Sequence, residues 1–393
     1  MQQNLLADAC TGFSAWDDLL QQAEAHGMAP LLLRHLLAAE INLPDNFLRS
    51  LRLLALRHRQ TNTLLTKILG EILTLLETAG FRVLVLKGAA LCQTLYPEPG
   101  LRPMRDIDLL LPWDEALPAH ALLQRHGFHD PAVFTPADHL HLAALYQEVN
   151  GIRVCLELHR CLFPDCPPCP ARMNFAELHD KAVPFAADNV QASTLADEEM
   201  LWHIYQHGFH APLPYDPFKL ISAADIIGFV EARLDTIDRD RMKSEYPHLL
   251  AALPHFHHLS PWNETVLDRL DINVKMSKGT PPAAIGKSFT GWPRRKLAEQ
   301  KGRGIRRILR DTFLPPDWWL RIYYAPTGRI KRTWSLLVTH PLHLFWWVKL
   351  YWSIFLKETL PEGDISVPMK LRDMLTVVKN SRTLVVAMYR KVH

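Results

Sequence analysis

The six cysteines of this chain suggest no disulfide framework. Four of them, Cys155, Cys161, Cys166 and Cys169, crowd one short stretch, and Cys166-Pro-Pro-Cys169 has no second such pair to match it. A reducing, cytoplasmic setting is therefore expected, with structural zinc at that cluster as the weaker alternative. Met1-Gln-Gln-Asn4 lacks the basic start of a signal peptide, and Asp8 and Asp17 break the segment behind it. There is no internal repeat and no extended low-complexity tract. The most apolar stretch, Trp334 to Leu356, is interrupted by Thr339, His340, Pro341, His343 and Lys349, which argues against a clean membrane span. His203 and His207 lie one helical turn apart, but Ile204 stands where a zinc protease needs its glutamate, so both histidines read as packing or pocket-lining residues.

What is present describes a folded protein larger than one average domain: 393 residues, of which 48% are hydrophobic. The net charge of +3 hides a division, because residues 281–393 carry +14 and the preceding 280 carry −11. A boundary is placed near Lys278-Gly-Thr-Pro-Pro282. The first 80 residues read as helical. Leu51, Leu54, Leu65, Ile68, Ile72 and Leu76 recur at helical intervals around a polar gap from Arg57 to Thr63, and Gly80 ends the run. Beyond it the pattern predicts a strand at 81–86, a helix after Gly88, a strand at 107–111, a helix near 115–126 and a strand at 152–158. Helical pattern returns from about Asp197 to Trp262, clearest at 198–207 and 218–233. The order β-α-β-α-β predicts an α+β fold with a small mixed sheet backed by helices. The expected division is a helical segment at 1–80, a core at 81–190, a helical domain at 191–280 and a basic, Trp-rich region at 281–393.

Two short segments carry the chemistry. In Leu101-Arg-Pro-Met-Arg-Asp-Ile-Asp-Leu-Leu-Leu111 two carboxylates, Asp106 and Asp108, stand two positions apart in an otherwise apolar strand, so they project from one face while Ile107 and Leu109 project from the other. Carboxylates this close repel, and a divalent cation is the simplest remedy. Ile152-Arg-Val-Cys-Leu-Glu-Leu-His159 is a second alternating strand, in which Glu157 shares a face with Cys155 and His159 and offers a third acid. The plainer alternative is that these acids cap turns or pair with Arg102 and Arg105.

These residues resemble a known family. A Leu-Lys-Gly strand end at 86–88, a helix, Tyr96-Pro97, Gly100, Arg102 and then Arg105-Asp-Ile-Asp-Leu-Leu110 look like the uncharacterised bacterial nucleotidyltransferase family of the polymerase β-type superfamily. Glu157-Leu-His159 matches its later acidic strand, and Trp16 to Leu32 its leading helical segment, so the resemblance spans roughly residues 10 to 260. The chain departs from the superfamily after Gly88, where Ala89 replaces the usual Ser or Gly and the interval to Asp106 is long.

The resemblance implies a metal-dependent transfer of a nucleoside monophosphate from an NTP to an acceptor, with release of pyrophosphate. Asp106, Asp108 and Glu157 would be the catalytic and metal-binding acids, with Mg2+ or Mn2+ as cofactor. Lys87, the Gly88 backbone, Arg102 and Arg105 would bind the nucleotide phosphates. The base used and the acceptor are left open. The alternative is an inactive protein of the same fold, working through its tail as a binding module.

That tail holds seven of the eleven tryptophans and a basic run from Arg294 to Arg310. Beyond Pro341 a helix would set Lys349, Ser353 and Lys357 on a narrow polar stripe among aromatic residues. Packing on the catalytic domain, peripheral membrane contact and nucleic-acid contact through 294–357 are all compatible with this composition.

Overall fold

The computed structural model describes residues 2–130, 141–162, 174–209, 219–257, 259–272, 313–315, 320, 324 and 328–345. The N-terminal part is helical as the periodicity predicts: α1 Gln2–Cys10, α2 Trp16–Ala25, α3 Ala29–Ala38 and the 34-residue α4 Asp45–Thr78. The polar gap at 57–63 does not interrupt α4, because its side chains have partners on neighbouring segments. Arg57 and His58 reach Glu24 on α2, Arg59 reaches Glu98, and buried Asn62 binds the loop 99–104. The first part of α4 packs with α2 and α3 around Leu36, Phe47 and Leu51, and its last turns enter a second, larger core through Leu65, Ile68, Leu69, Ile72 and Leu76.

That larger core surrounds a six-stranded mixed sheet, so the fold class is α+β. The strands are β1 Leu84–Val85, β2 Ile107–Leu110, β3 Leu145–Val149, β4 Ile152–His159, β5 Val183–Ala187 and β6 Val190–Thr194. Their order across the sheet is β3-β4-β2-β1-β6-β5. The pairs β2–β4 and β1–β6 are parallel, whereas β1–β2, β3–β4 and β5–β6 are antiparallel. In sequence, helix α5 Lys87–Thr94 lies between β1 and β2, and α6 Ala116–Arg125 between β2 and β3. The long helix α4 comes close to the β5–β6 hairpin at Gly70, where a Cβ would lie 3.3 Å from Val190 Cγ2.

Three of the six strands lie outside the predicted set. Both antiparallel pairs in question close through two-residue turns with positive φ, Asn150-Gly151 and Asp188-Asn189. Such turns match the right-handed twist of the strands they join. The short helix α7 Phe175–Asp180 precedes β5. After the sheet come α8 Asp197–Phe209, α9 Leu220–Ala232, α10 Arg239–Glu245, α11 Pro247–His257 and α12 Glu264–Arg269. These helices share the sheet's core through Trp202, Tyr205, Ile226, Val230, Leu253 and Phe256.

The expected boundary near 278–282, the basic run 294–310 and Cys166 and Cys169 lie outside the described residues, as does the expected helix past Phe345. Within the C-terminal region, Leu320 and Tyr324 belong to the main core. Helix α13, Gly328–Trp334, runs into a π-helical turn at Ser335–Thr339 and continues helically to 345. One side of this segment is buried: the Tyr324 hydroxyl lies 2.9 Å from His340 Nδ1 and 3.1 Å from His343 Nδ1. The other side exposes Ile330, Trp334, Leu337, Leu342 and Phe345. Among the described residues no helix is long and apolar enough to cross a membrane.

Candidate active site

Strand register creates the site. Parallel pairing of β2 with β4 sets Asp108 directly against Glu157, with Ile107 on Leu156 and Leu110 on His159. Side chains two apart on a strand share a face, so His159 joins Glu157 on the side where Asp108 projects. Asp106 precedes the first residue of β2 and is carried by the loop that Asn62 clamps. Asn62 Nδ2 donates to the carbonyls of Pro99 at 2.6 Å and Arg102 at 2.7 Å, and its Oδ1 accepts from the Met104 N–H at 2.9 Å. The polar interruption of α4 thereby fixes the approach of the first acid.

Lys87 enters from the opposite neighbour strand. The Leu86 N–H donates to the Asp108 carbonyl, and the chain then turns at Lys87 with φ of +46° into α5. A left-handed conformation at a residue with a side chain costs about 1–3 kcal/mol, and such strain gathers at functional sites. Here it brings the Lys87 ammonium to 2.8 Å from Asp108 Oδ1. His159 Nε2 lies 2.8 Å from the same oxygen and 3.7 Å from Glu157 Oε2.

The charges do not balance within this group. Burial would raise Asp108, but Lys87 and His159 outweigh it and hold the carboxyl well below its ordinary range. Burial alone would depress Lys87, but Asp108, Glu157 and Asp106 hold it above its ordinary value. Glu157 is pushed up to about 8 by burial and then by Asp108. Asp106 is raised by the same two causes, and among the described residues it makes no hydrogen bond or ion pair. Lys87 acts on all three acids, and Arg102 and Lys219 act on Asp106 as well, yet Glu157 and Asp106 are still held toward the protonated form. A divalent cation would relieve that repulsion. The donor atoms of Asp108, Glu157 and His159 lie within 4.8 Å of one another, which fits such an ion.

The expected phosphate cradle centres on the start of α5. Gly88 is buried in the first turn of that helix, where backbone N–H groups have no partner within the helix. A Cβ at 88 would collide with Arg102 Nη1, so the glycine makes room for that guanidinium. Arg102 is itself anchored on Asp225 of α9: Nη2 lies 2.8 Å from Oδ2, and Nε lies 3.1 and 3.2 Å from the two oxygens. Tyr96 donates to the same Asp225 at 2.6 Å. Arg105 is exposed and has no ion pair among the described residues.

Several contributors are not evident from the sequence. Lys219, just before α9, is among the charges acting on Asp106, and Asp225 fixes Arg102. His203 on α8, read as a packing or pocket-lining residue, is held well below its ordinary pKa by burial, then by Lys87 and His159. His207 stacks on His203 with ring centroids 6.4 Å apart. His141 stands 5.3 Å from His159, ring to ring, and is lowered to about 4 by burial and then by His159. In sequence these histidines are scattered over 67 positions, and only the i, i+4 pair carries a local signal. Burial pushes the Cys155 thiol up to about 12.

A protein-family model described as an uncharacterised nucleotidyltransferase matches residues 14–252. Among solved structures, that of an antigenic nucleotidyltransferase-like protein from Paracoccidioides brasiliensis is similar at 14% identity, with a TM-score of 0.36, over 53% of this chain and 92% of that one. No curated protein matches the sequence.

Proposed function

The chain belongs to the uncharacterised nucleotidyltransferase family, and from that premise we propose that it transfers a nucleoside monophosphate from an NTP to an acceptor, releasing pyrophosphate. The observation that carries the reading is the meeting of Asp108 and Glu157 across β2 and β4, with Asp106 beside them and Lys87 set against the three acids. Asp106, Asp108 and Glu157 are the residues we assign to hold Mg2+ or Mn2+. When bound, such an ion would withdraw charge from the reacting phosphate oxygens.

The chain's own groups supply the rest. Lys87 is poised between Asp108 and the start of α5, so its ammonium can meet a phosphate arriving at the helix N-terminus. The N–H groups of that first turn donate to phosphate oxygens. Arg102, held by Asp225, presents Nη1 over Gly88, and exposed Arg105 adds charge at the mouth. Neutral His203 lines the buried side.

For the tail we propose an anionic lipid surface as partner. The exposed apolar face of 330–345 lies next to exposed Lys331 and Arg332, in a region whose overall charge is +14.

Calorimetric titration with ATP, CTP, GTP and UTP in the presence of Mg2+ or Mn2+ tests the enzyme reading. At least one triphosphate is expected to bind in a metal-dependent manner, and the Asp106→Asn/Asp108→Asn double variant should lose that binding. Metal-independent or absent binding to all four would leave the inactive binding protein as the better description.

A further inference from the structure

The three-carboxylate assignment leaves out the group closest to Asp108 on β4. His159 Nε2 is 2.8 Å from Asp108 Oδ1 and 3.7 Å from Glu157 Oε2, and the donors of all three residues lie within 4.8 Å of one another. Asp106 joins no such group among the described residues. The difference has a backbone cause. Asp108, Glu157 and His159 stand on two strands bonded in register, whereas Asp106 lies before β2 begins. The rigid donor set is therefore two oxygens and an imidazole nitrogen.

We propose that, on the reading given above, the resident cation is held by Asp108, Glu157 and His159, and that the site selects a first-row transition ion over Mg2+. Mg2+ prefers oxygen ligands in a near-ideal octahedron and gives up its water reluctantly. An imidazole nitrogen instead suits ions for which affinity rises from Mn2+ through Co2+ and onward. To bind through Nε2, His159 would give up its contact with Asp108 Oδ1, and any proton on that nitrogen would pass to solvent or to Nδ1. Lys87, which rests on the same oxygen, is then free to turn to the anionic substrate. Asp106 is left to contribute from the loop before β2.

The test uses the full-length chain, stripped of metal and loaded with Mn2+ alone. Pulsed electron paramagnetic resonance should detect 14N coupling from a directly bound imidazole. The coupling should vanish in His159→Gln and persist in Asp106→Asn, and growth with 15N-histidine should convert it to a 15N coupling in the wild type without any substitution. Direct titration should show Mn2+ binding at least about tenfold tighter than Mg2+, a preference that shrinks in His159→Gln.

Mn2+ bound without nitrogen coupling, or coupling that survives in His159→Gln, would overturn the proposal while leaving the nucleotidyltransferase reading intact. No binding of either ion, with or without NTP, would remove both.

Discussion

In the folded chain Glu157 loses its proton only at about pH 8, against an ordinary value of 4.5, because burial and then Asp108 disfavour its charge. The folded state thus binds this proton more tightly than the unfolded state between those two values. Stability must then fall as pH rises through the interval. Metal-free thermal melts between pH 5.5 and 8 should show the decline in the wild type and a flatter profile in Glu157→Gln, with the variant the more stable of the two at pH 8. Parallel profiles would mean that Glu157 is not held protonated. Asp108 acts in the opposite sense: its depressed value supports the fold above pH 3.8 and loses that support only in stronger acid. The alternation of each strand makes these acids visible in the sequence. The left-handed turn at Lys87 is not visible there, since lysine carries no local preference for positive φ and takes it here beside buried carboxylates.

At the scale of elements, α4 does more than fill space. Its buried Asn62 makes three hydrogen bonds to the segment leading from Pro99 to Met104, and so sets where Arg102, Arg105 and Asp106 begin. Asn62→Ala would leave two carbonyls and an N–H without this partner and should cost about 2–4 kcal/mol, judged from the penalty for buried unsatisfied groups. Denaturant unfolding measures that loss. Metal or nucleotide affinity should fall with it even where the protein remains folded. Helices α4, α8 and α9 are legible in the sequence because their apolar spacing is strong, and β2 and β4 because the alternation is clean. The strands β3, β5 and β6 escape such a reading although Asn150-Gly151 is a recognised hairpin signal, since Gln147 and Glu148 in β3 and Ser193 and Thr194 in β6 weaken the alternation. The role of Asn62 cannot be read locally, because its partners lie 37 to 42 residues away.

Across the whole molecule, Leu320 and Tyr324 of the basic C-terminal region belong to the same core as the acidic body. The outward face of residues 330–345 then meets the solvent with Trp334 at 63% and Ile330 at 87% exposure. Sedimentation with vesicles rich in phosphatidylglycerol should carry the wild type down, and neutral phosphatidylcholine should not. Leu337→Glu should lose the binding at little cost to stability, within about 0.5 kcal/mol, because the side chain is exposed. Failure to bind such vesicles, with salt-sensitive retention of single-stranded RNA instead, would exchange the lipid partner for a nucleic acid. The meeting of Asp108 and Glu157 has its own consequence on this scale. A single residue inserted in β4 ahead of Glu157 would keep every functional group in the chain, yet turn that carboxylate to the sheet's opposite face and undo the constellation. Tolerance of length changes should accordingly be least within these two strands and greatest where the chain runs free of the ladder.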